Sequence, residues 1–276
     1  MSFIGIDLGG TTIKGGLLVS GRIVRKETLP VNKELSGEQI TGDICSLISS
    51  LRDKNVQGIG CAVPALIRHD KGVVYGFSNI PGLDDVPLKN ILEKQFHVPV
   101  CLQNDANCFV LGEFQSGLAK NYRDIVGLIT GTGVGAGIII DEKLYNGTNY
   151  GAGEFGMISY KDKNFEAYCS GRFFTSFYNI PGEELAERAA LGDADALAAY
   201  HEYGGHMGEL LKLVCYTLDP QLIVIGGSVS QSFSYYKQAL IQSMKSFFFA
   251  GGKPAVIKPS VTKDIAIYGA ASLCYK

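Results

Sequence analysis

The sequence predicts an α/β protein with a mixed β-sheet in each of two similar halves. Three observations carry this. Apolar runs open the chain as a three-strand meander, strands then alternate with helical periodicities, and the strand–glycine turn–strand pattern of residues 2–19 returns at 125–140. A length of 276 residues, 46% of them hydrophobic, suits one large domain or two smaller ones with a proper core.

Taken in order, residues 2–8 form an apolar strand with Asp7 near its end. Gly9, Gly10, Thr11 and Thr12 make a tight turn, 13–19 run back as a second strand, and 23–29 form a third. Over 36–54, Ile40, Ile44, Ile48 and Leu51 share one helical face, and Ser36 to Gln39 fits the spacing of a capping box. Residues 56–63 read as a strand ended by Pro64, 73–77 as a short strand, 78–83 as a loop and 87–96 as a helix. Residues 98–102 read as a buried strand, after which Ala106, Phe109 and Val110 recur at helical spacing. At that junction sit Gln103, Asn104, Asp105 and Asn107, and either Asn104 or Asp105 can cap the helix.

The second half starts afresh with a strand at 125–130, a glycine turn at 131–137 and a strand at 138–140. Residues 144–153 are loop-like, 165–177 are helical around Gly171, and 183–191 are helical. A long helix opens at Asp193 or Ala194 and runs to about Leu218, with Leu197, Tyr200, Gly204, Met207, Leu211 and Val214 on one stripe. A strand at 222–225 leads through Gly226-Gly227-Ser228-Val229 to a helix at 235–248, a strand at 255–259 and a final helix at 265–275. The small face Gly269-Ala270-Ala271 of that last helix suits close packing. The expected lobes are 1–117 and 118–263, facing a cleft, with 264–276 packing back on the first.

Composition excludes several function classes. A net charge of −2 with no Lys/Arg run argues against a nucleic-acid track or an anionic membrane surface. Seven cysteines with no Cys-x-x-Cys spacing argue against a disulfide framework and a zinc knuckle. Cys45, Cys61, Cys101 and Cys215 lie in apolar stretches and read as small core residues. His201 and His206 are five apart on a helix, a poor metal spacing, and read as surface or packing residues. Neither a signal peptide nor a membrane-length apolar run occurs, so the expectation is a soluble cytoplasmic protein.

Three glycine turns at strand ends (9–10, 131–137 and 226–227) point to phosphate and nucleotide binding. Glycines let backbone approach an anion, threonine hydroxyls donate to phosphate oxygens, and Asp7 can hold a hydrated Mg²⁺. A P-loop is excluded because no Gly-x-x-x-x-Gly-Lys-Ser/Thr occurs, and a Rossmann fingerprint because the 133–137 glycines precede a β-branched run.

Asp7-Leu8-Gly9-Gly10-Thr11-Thr12, Asn104-Asp105-Ala106-Asn107, Gly131-Thr132-Gly133-Val134-Gly135, Gly151-Ala152-Gly153-Glu154-Phe155-Gly156 and Gly226-Gly227 occur in order and with spacing that resembles the ROK family of bacterial sugar kinases and related repressors. The likeness spans nearly the whole chain. It implies a two-lobed actin-like (ribonuclease H-like) ATPase fold with a mixed β-sheet in each lobe, and ATP-dependent phosphorylation of a hexose or related sugar, usually at the 6-hydroxyl. The resemblance makes Asp105 the general base, with Asn104, Glu154, Glu166 and Asn79 as sugar ligands. It sets Asp7 toward Mg²⁺, Gly9, Gly10, Thr11, Thr12, Gly131, Thr132 and Gly133 toward the phosphates, and Gly226-Gly227 beside the adenosine. For Glu166, a partly exposed helix carboxylate is an equal reading. A homodimer is implied as usual for the family.

The departures have consequences. Met157 stands where most members carry a sugar-contacting, zinc-ligating His, and the family's Cys-x-Cys-Gly-x-x-Gly-Cys segment is absent. The expectation is therefore no zinc site. Ala65 replaces a glycine after Pro64, which crowds one side of the sugar. Zinc-free members of this kind resemble β-glucoside kinases, so a larger glycoside is an alternative substrate, and a catalytically weak sugar sensor an alternative role. A repressor of the family carries an N-terminal DNA-binding domain, for which a phosphate turn starting at Asp7 leaves no room.

Overall fold

The computed structural model describes residues 1–32, 34–68, 73–75, 81–247 and 254–275. The chain divides into two compact units. The first comprises Met1–Asn121, Leu144–Ala152 and Val261–Lys276, and the second Tyr122–Lys143 and Gly153–Ser260. The expected division placed 144–152 in the second lobe, whereas its contacts group it with the first.

The first unit is built on a five-stranded mixed sheet. Strands β1 (Ser2–Leu8), β2 (Thr12–Val19) and β3 (Arg22–Pro30) form an antiparallel meander. β4 (Val56–Val63) and β7 (Val100–Asn104) then add in parallel to give the order β3-β2-β1-β4-β7. A short antiparallel pair, β5 (Leu66–Arg68) and β6 (Val73–Tyr75), lies between them in the chain. Alternation along β1 explains the layering. Ile4, Ile6 and Leu8 point into a core shared with Ile40, Ile44 and Ile48 of α1 (Gly37–Leu51) and Leu92 of α2 (Leu88–Phe96). The opposite face carries α3 (Asp105–Ser116) and α9 (Ile265–Ser272). There the approach is backbone to backbone: a Cβ added at Gly60 would lie 1.7 Å from the Ala270 carbonyl oxygen, and one at Gly269 1.7 Å from that of Cys108. α1 begins with the expected capping box, since Ser36 Oγ accepts the Gln39 N–H and Gln39 Oε1 accepts the Ser36 N–H.

The second unit repeats the plan. β8 (Ile125–Thr130) pairs antiparallel with β9 (Val134–Ile140) and parallel with β13 (Leu222–Gly226), in the order β10-β9-β8-β13-β14 with β10 (Lys143–Leu144) and β14 (Val256–Pro259) at the edges. The glycines at 133–137 belong mostly to β9, which starts earlier than expected because Val134 already pairs with Thr130. Helices α4 (Phe165–Cys169), α5 (Arg172–Tyr178), α6 (Gly182–Ala190), α7 (Ala194–Leu218) and α8 (Phe233–Met244) complete it. The helix expected over 165–177 is broken at Ser170-Gly171. Asp193 caps α7, and its stripe is buried except at Leu197, which is 37% exposed. Among the described residues no helix is long and apolar enough to cross a membrane.

Candidate active site

In the first unit the candidate residues gather at one end of the sheet. Asp7 pairs with Ala62, and Ala62 with Gln103, so Asp7 and the β7–α3 junction lie at the same level two strands apart. This is the carboxyl end of the parallel strands, where open α/β sheets place their ligands. The turn after β1 is closed by the Gly9 N–H donating to the Thr12 carbonyl at 2.8 Å and anchored by the Val31 N–H donating to the Thr11 carbonyl at 2.8 Å. Thr11 is exposed at its tip, and Gly9, Gly10 and Thr12 are partly so. Burial raises the Asp7 carboxyl above the usual carboxylate range, opposed by Lys14 and reinforced by Asp264.

The cap of α3 is Asn104. Its Oδ1 accepts the N–H groups of Ala106 at 2.9 Å and Asn107 at 3.4 Å, while its Nδ2 donates to the Ala65 carbonyl at 3.4 Å. Asp105 is the first helical residue, its Oδ1 accepting the Ala106 N–H at 2.8 Å. Gln103 Oε1 accepts the Asn104 N–H at 2.8 Å, and Gln103 Nε2 and Asn107 Nδ2 both donate to Asn146 Oδ1, at 3.0 and 3.2 Å. Asn146 therefore ties the 144–152 segment to the start of α3. Cys108, one turn along α3, has its thiol pushed well above its ordinary range by burial and then by Asp7 and Asp105. Both carboxylates thus lie near one buried sulfur. Asn79 falls outside the described residues.

In the second unit the two glycine turns meet. The Gly171 N–H donates to the Gly131 carbonyl at 2.7 Å, and Thr130 Oγ1 donates to that of Gly226 at 3.2 Å. Gly227 sits at φ +87°, and a Cβ there would lie 2.3 Å from the Thr130 carbonyl oxygen, so only glycine fits. A cavity of about 460 Å³ opens beside these turns, lined by Thr132, Arg172, Glu183, Tyr200, Ser228 and Gln231 among others. Its size suits a nucleoside-sized ligand. Glu166 stands in the first turn of α4, which Asn164 caps by accepting the Ala167 N–H at 3.0 Å. Its Oε2 accepts the Val134 N–H at 3.2 Å and its Oε1 faces Arg172 Nη1 at 3.3 Å, so it lies against the Gly133 turn. Glu154, just before the 3₁₀ turn Phe155–Met157, is raised by burial and then by the charge of Glu166, which brings the two carboxylates into one neighbourhood.

Met157 is 64% exposed. The following residues form a hairpin, β11 (Ser159–Tyr160) with β12 (Lys163–Asn164). It is held by side-chain packing: the Tyr160 ring stacks on Phe165 at 4.3 Å, and its hydroxyl lies 3.1 Å from His206 Nδ1. His206 is buried in this aromatic cluster, and burial lowers its pKa. Among the described residues no group of three or more His, Cys, Asp or Glu side chains could hold a metal ion.

Residues 3–276 match the ROK family. The chain belongs to the ROK family. A glucokinase of Halalkalibacterium halodurans is 30% identical, covering 92% of this chain and 87% of that one. An N-acetyl-D-glucosamine kinase of Escherichia coli O157:H7 is 30% identical over 83% and 84% of the two chains. Among solved structures, a ROK family glucokinase from Streptomyces griseus in complex with glucose and AMPPNP superposes with a TM-score of 0.85 at 25% identity, covering 99% of each chain. The two mixed sheets and their helices are those of the actin-like ATPase fold of ROK sugar kinases.

Arg172, Gln231 and Asn146 carried no signal in the sequence, and Tyr200 only that of a buried helix stripe. They are single residues without a motif, brought to their places by helix packing and by the 144–152 segment. Ser228, next to Gly227, was within reach of the turn pattern.

Proposed function

We propose that this chain transfers the γ-phosphoryl group of ATP to the 6-hydroxyl of a hexose or hexose derivative, with Asp105 as the general base. The chain is an ATP-dependent sugar kinase of the ROK family. The observation that supports the base assignment most is the anchoring of Asp105. It follows the Asn104 cap, and that cap is held in turn through Gln103, Asn146 and the Ala65 carbonyl. A base fixed in this way keeps its carboxylate aligned with a bound hydroxyl, and alignment is where much of the rate gain of a positioned group arises. Asn104 has one amide hydrogen on Ala65, which leaves the other for a sugar hydroxyl. Glu154 and Glu166 are the carboxylates assigned to accept from sugar hydroxyls, and Asn79 joins them by resemblance.

The backbone at Gly9, Gly10, Gly131 and Gly133, with the Thr11, Thr12 and Thr132 hydroxyls, is assigned to the phosphates. Gly226-Gly227 and the cavity lined by Arg172 and Tyr200 are assigned to the adenosine. A hydrated Mg²⁺ fits Asp7, because burial disfavours its bare anion and a divalent cation offsets that cost. When bound, Mg²⁺ neutralises charge on the transferring phosphoryl group. No zinc belongs to this reading, and metal analysis of protein purified without added zinc is expected to find less than stoichiometric amounts. A homodimer rests on the resemblance, and a cytoplasmic location on the scattered cysteines and apolar pattern of the chain.

A coupled ADP-release assay over glucose, mannose, fructose, N-acetylhexosamines and β-glucosides, with and without Mg²⁺, tests the reading. Turnover is expected on at least one sugar and only with Mg²⁺. No turnover on any sugar favours a sensor instead. The exposed Met157 thioether favours one second reading, a β-glucoside kinase, whose mark is preference for the glycoside. Asp105→Asn is expected to lower kcat by about 10²–10⁴-fold while sugar affinity stays near normal. Near-normal turnover in that variant would falsify the role.

A further inference from the structure

Five of the seven cysteines are buried; Cys101 and Cys274 are the two that are not. They are far apart in sequence and adjacent in space. Cys101 lies on β7 opposite Gly60 of β4, so its side chain projects from the sheet face that α9 covers. Cys274 follows α9 and sits over the same face. A Cβ added at Gly58 would lie 2.9 Å from the Cys274 Cβ and 3.1 Å from its Sγ. Tyr275, the next residue, packs its ring 4.9 Å from Phe3 and so holds the end of the chain in place. Cys61, although next to Gly60 on β4, pairs in register with Leu102 and therefore points to the other face, out of reach.

The thiols of Cys101 and Cys274, on one face of the sheet, perturb each other's ionisation. The Cys274 thiol lowers the Cys101 pKa to about 7, burial opposes this, and Lys89 lowers it further. Cys274 is raised by Cys101 and by burial. Cys101 also lines a cavity of about 230 Å³ together with Lys89 and Leu273. One thiol has thiolate character and borders a cavity, and its neighbour on the same sheet face is a protonated thiol. That is the arrangement of an attacking and a resolving cysteine.

We propose that Cys101 and Cys274 form a peroxide-oxidisable pair that closes a reversible disulfide between β7 and the end of α9. The Cys101 thiolate attacks the peroxide O–O bond and becomes a sulfenic acid, while the other oxygen leaves as an alcohol or water after taking up a proton. The Cys274 sulfur then attacks the sulfenic sulfur, forming the S–S bond and releasing water. Two thiols are oxidised by two electrons in all, and one peroxide is reduced. A dithiol reductant reverses the step.

The test treats the reduced full-length chain with one to a few equivalents of hydrogen peroxide, blocks remaining thiols and maps peptides by mass spectrometry. The expected result is loss of two free thiols, a single Cys101–Cys274 cross-linked peptide, and recovery with dithiothreitol. Cys274→Ser should abolish the cross-link and leave a sulfenic acid at Cys101 that a dimedone probe traps. Cys101→Ser should leave Cys274 reduced. Both serine variants must unfold near the wild-type temperature when reduced, which separates lost chemistry from lost fold. Cross-links through other cysteines, a sulfinic acid at Cys101 beside a free Cys274, or no thiol loss would each overturn the proposal.

Discussion

Adding one methyl group at Gly269 tests how the helix that carries Asp105 is seated. A Cβ there would lie 1.7 Å from the Cys108 carbonyl oxygen, 2.6 Å from its carbonyl carbon and 2.8 Å from the Gly112 nitrogen. All three are backbone atoms of α3, so no side chain can swing aside. Real Cβ contacts are essentially never under 3.0 Å, and relief needs α9 and α3 to part by more than about 1 Å. A gap of that size forfeits roughly a quarter to a half of the dispersion attraction across the interface. Overpacking of this kind costs about 1–3 kcal/mol and more where nothing yields. For Gly269→Ala we expect about 3 kcal/mol of destabilisation or more, which is a fall in Tm of roughly 6–12 °C for the transition of the first unit. The matched control is Gly42→Ala. Gly42 lies exposed in the interior of α1 with no atom within 4 Å of an added Cβ, so the same substitution should stabilise by about 0.5–1 kcal/mol. Differential scanning calorimetry of both variants reads the two signs. A Gly269→Ala protein melting within 2 °C of wild type, or a Gly42→Ala protein that loses stability, refutes the packing argument.

Two further outcomes follow from the site. Asn146→Ala removes the acceptor shared by Gln103 Nε2 and Asn107 Nδ2, leaving a buried donor unpaired. It should cost about 1–3 kcal/mol of stability and lower kcat/KM by about tenfold. Steady-state kinetics alongside urea unfolding checks both, and an unchanged protein would sever the 144–152 segment from the Asn104–Asp105 junction. Glu154 titrates above its ordinary range because burial and Glu166 disfavour its charge, so the folded state binds its proton more tightly than the unfolded chain. Its contribution is favourable at low pH and is lost as pH rises through the raised pKa. Glu154→Gln should therefore raise Tm at pH 7, with the gain fading below about pH 4, the ordinary Glu value. A variant destabilised at pH 7 would contradict this sign.

What the sequence determined by itself is local. Apolar alternation and the Gly9–Thr12 turn specify the opening meander, Ser36 and Gln39 specify how α1 begins, and Asp193 specifies where α7 begins. Each depends on hydrogen bonds or side-chain periodicity within a few residues, which the chain order already contains. The glycine turns and Asn104-Asp105 were legible for the same reason, as were two halves of matching plan. The tertiary structure decided the rest. It chose Asn104 over Asp105 as the cap, because its neighbour Gln103 and the Ala65 carbonyl, in the link between β4 and β5, hold Asn104 in place. It engaged both Glu166 oxygens with Val134 and Arg172, joined 144–152 to the first unit through Asn146, and started β9 at Val134 rather than Ile138. Cys101, which reads as core from its apolar neighbours, proved partly exposed beside Cys274, since β7 is the edge strand of its sheet. Contacts between residues tens of positions apart or more, such as Asn146 with Gln103 or Glu166 with Val134, leave no periodicity in the sequence, and packing alone brings their partners together.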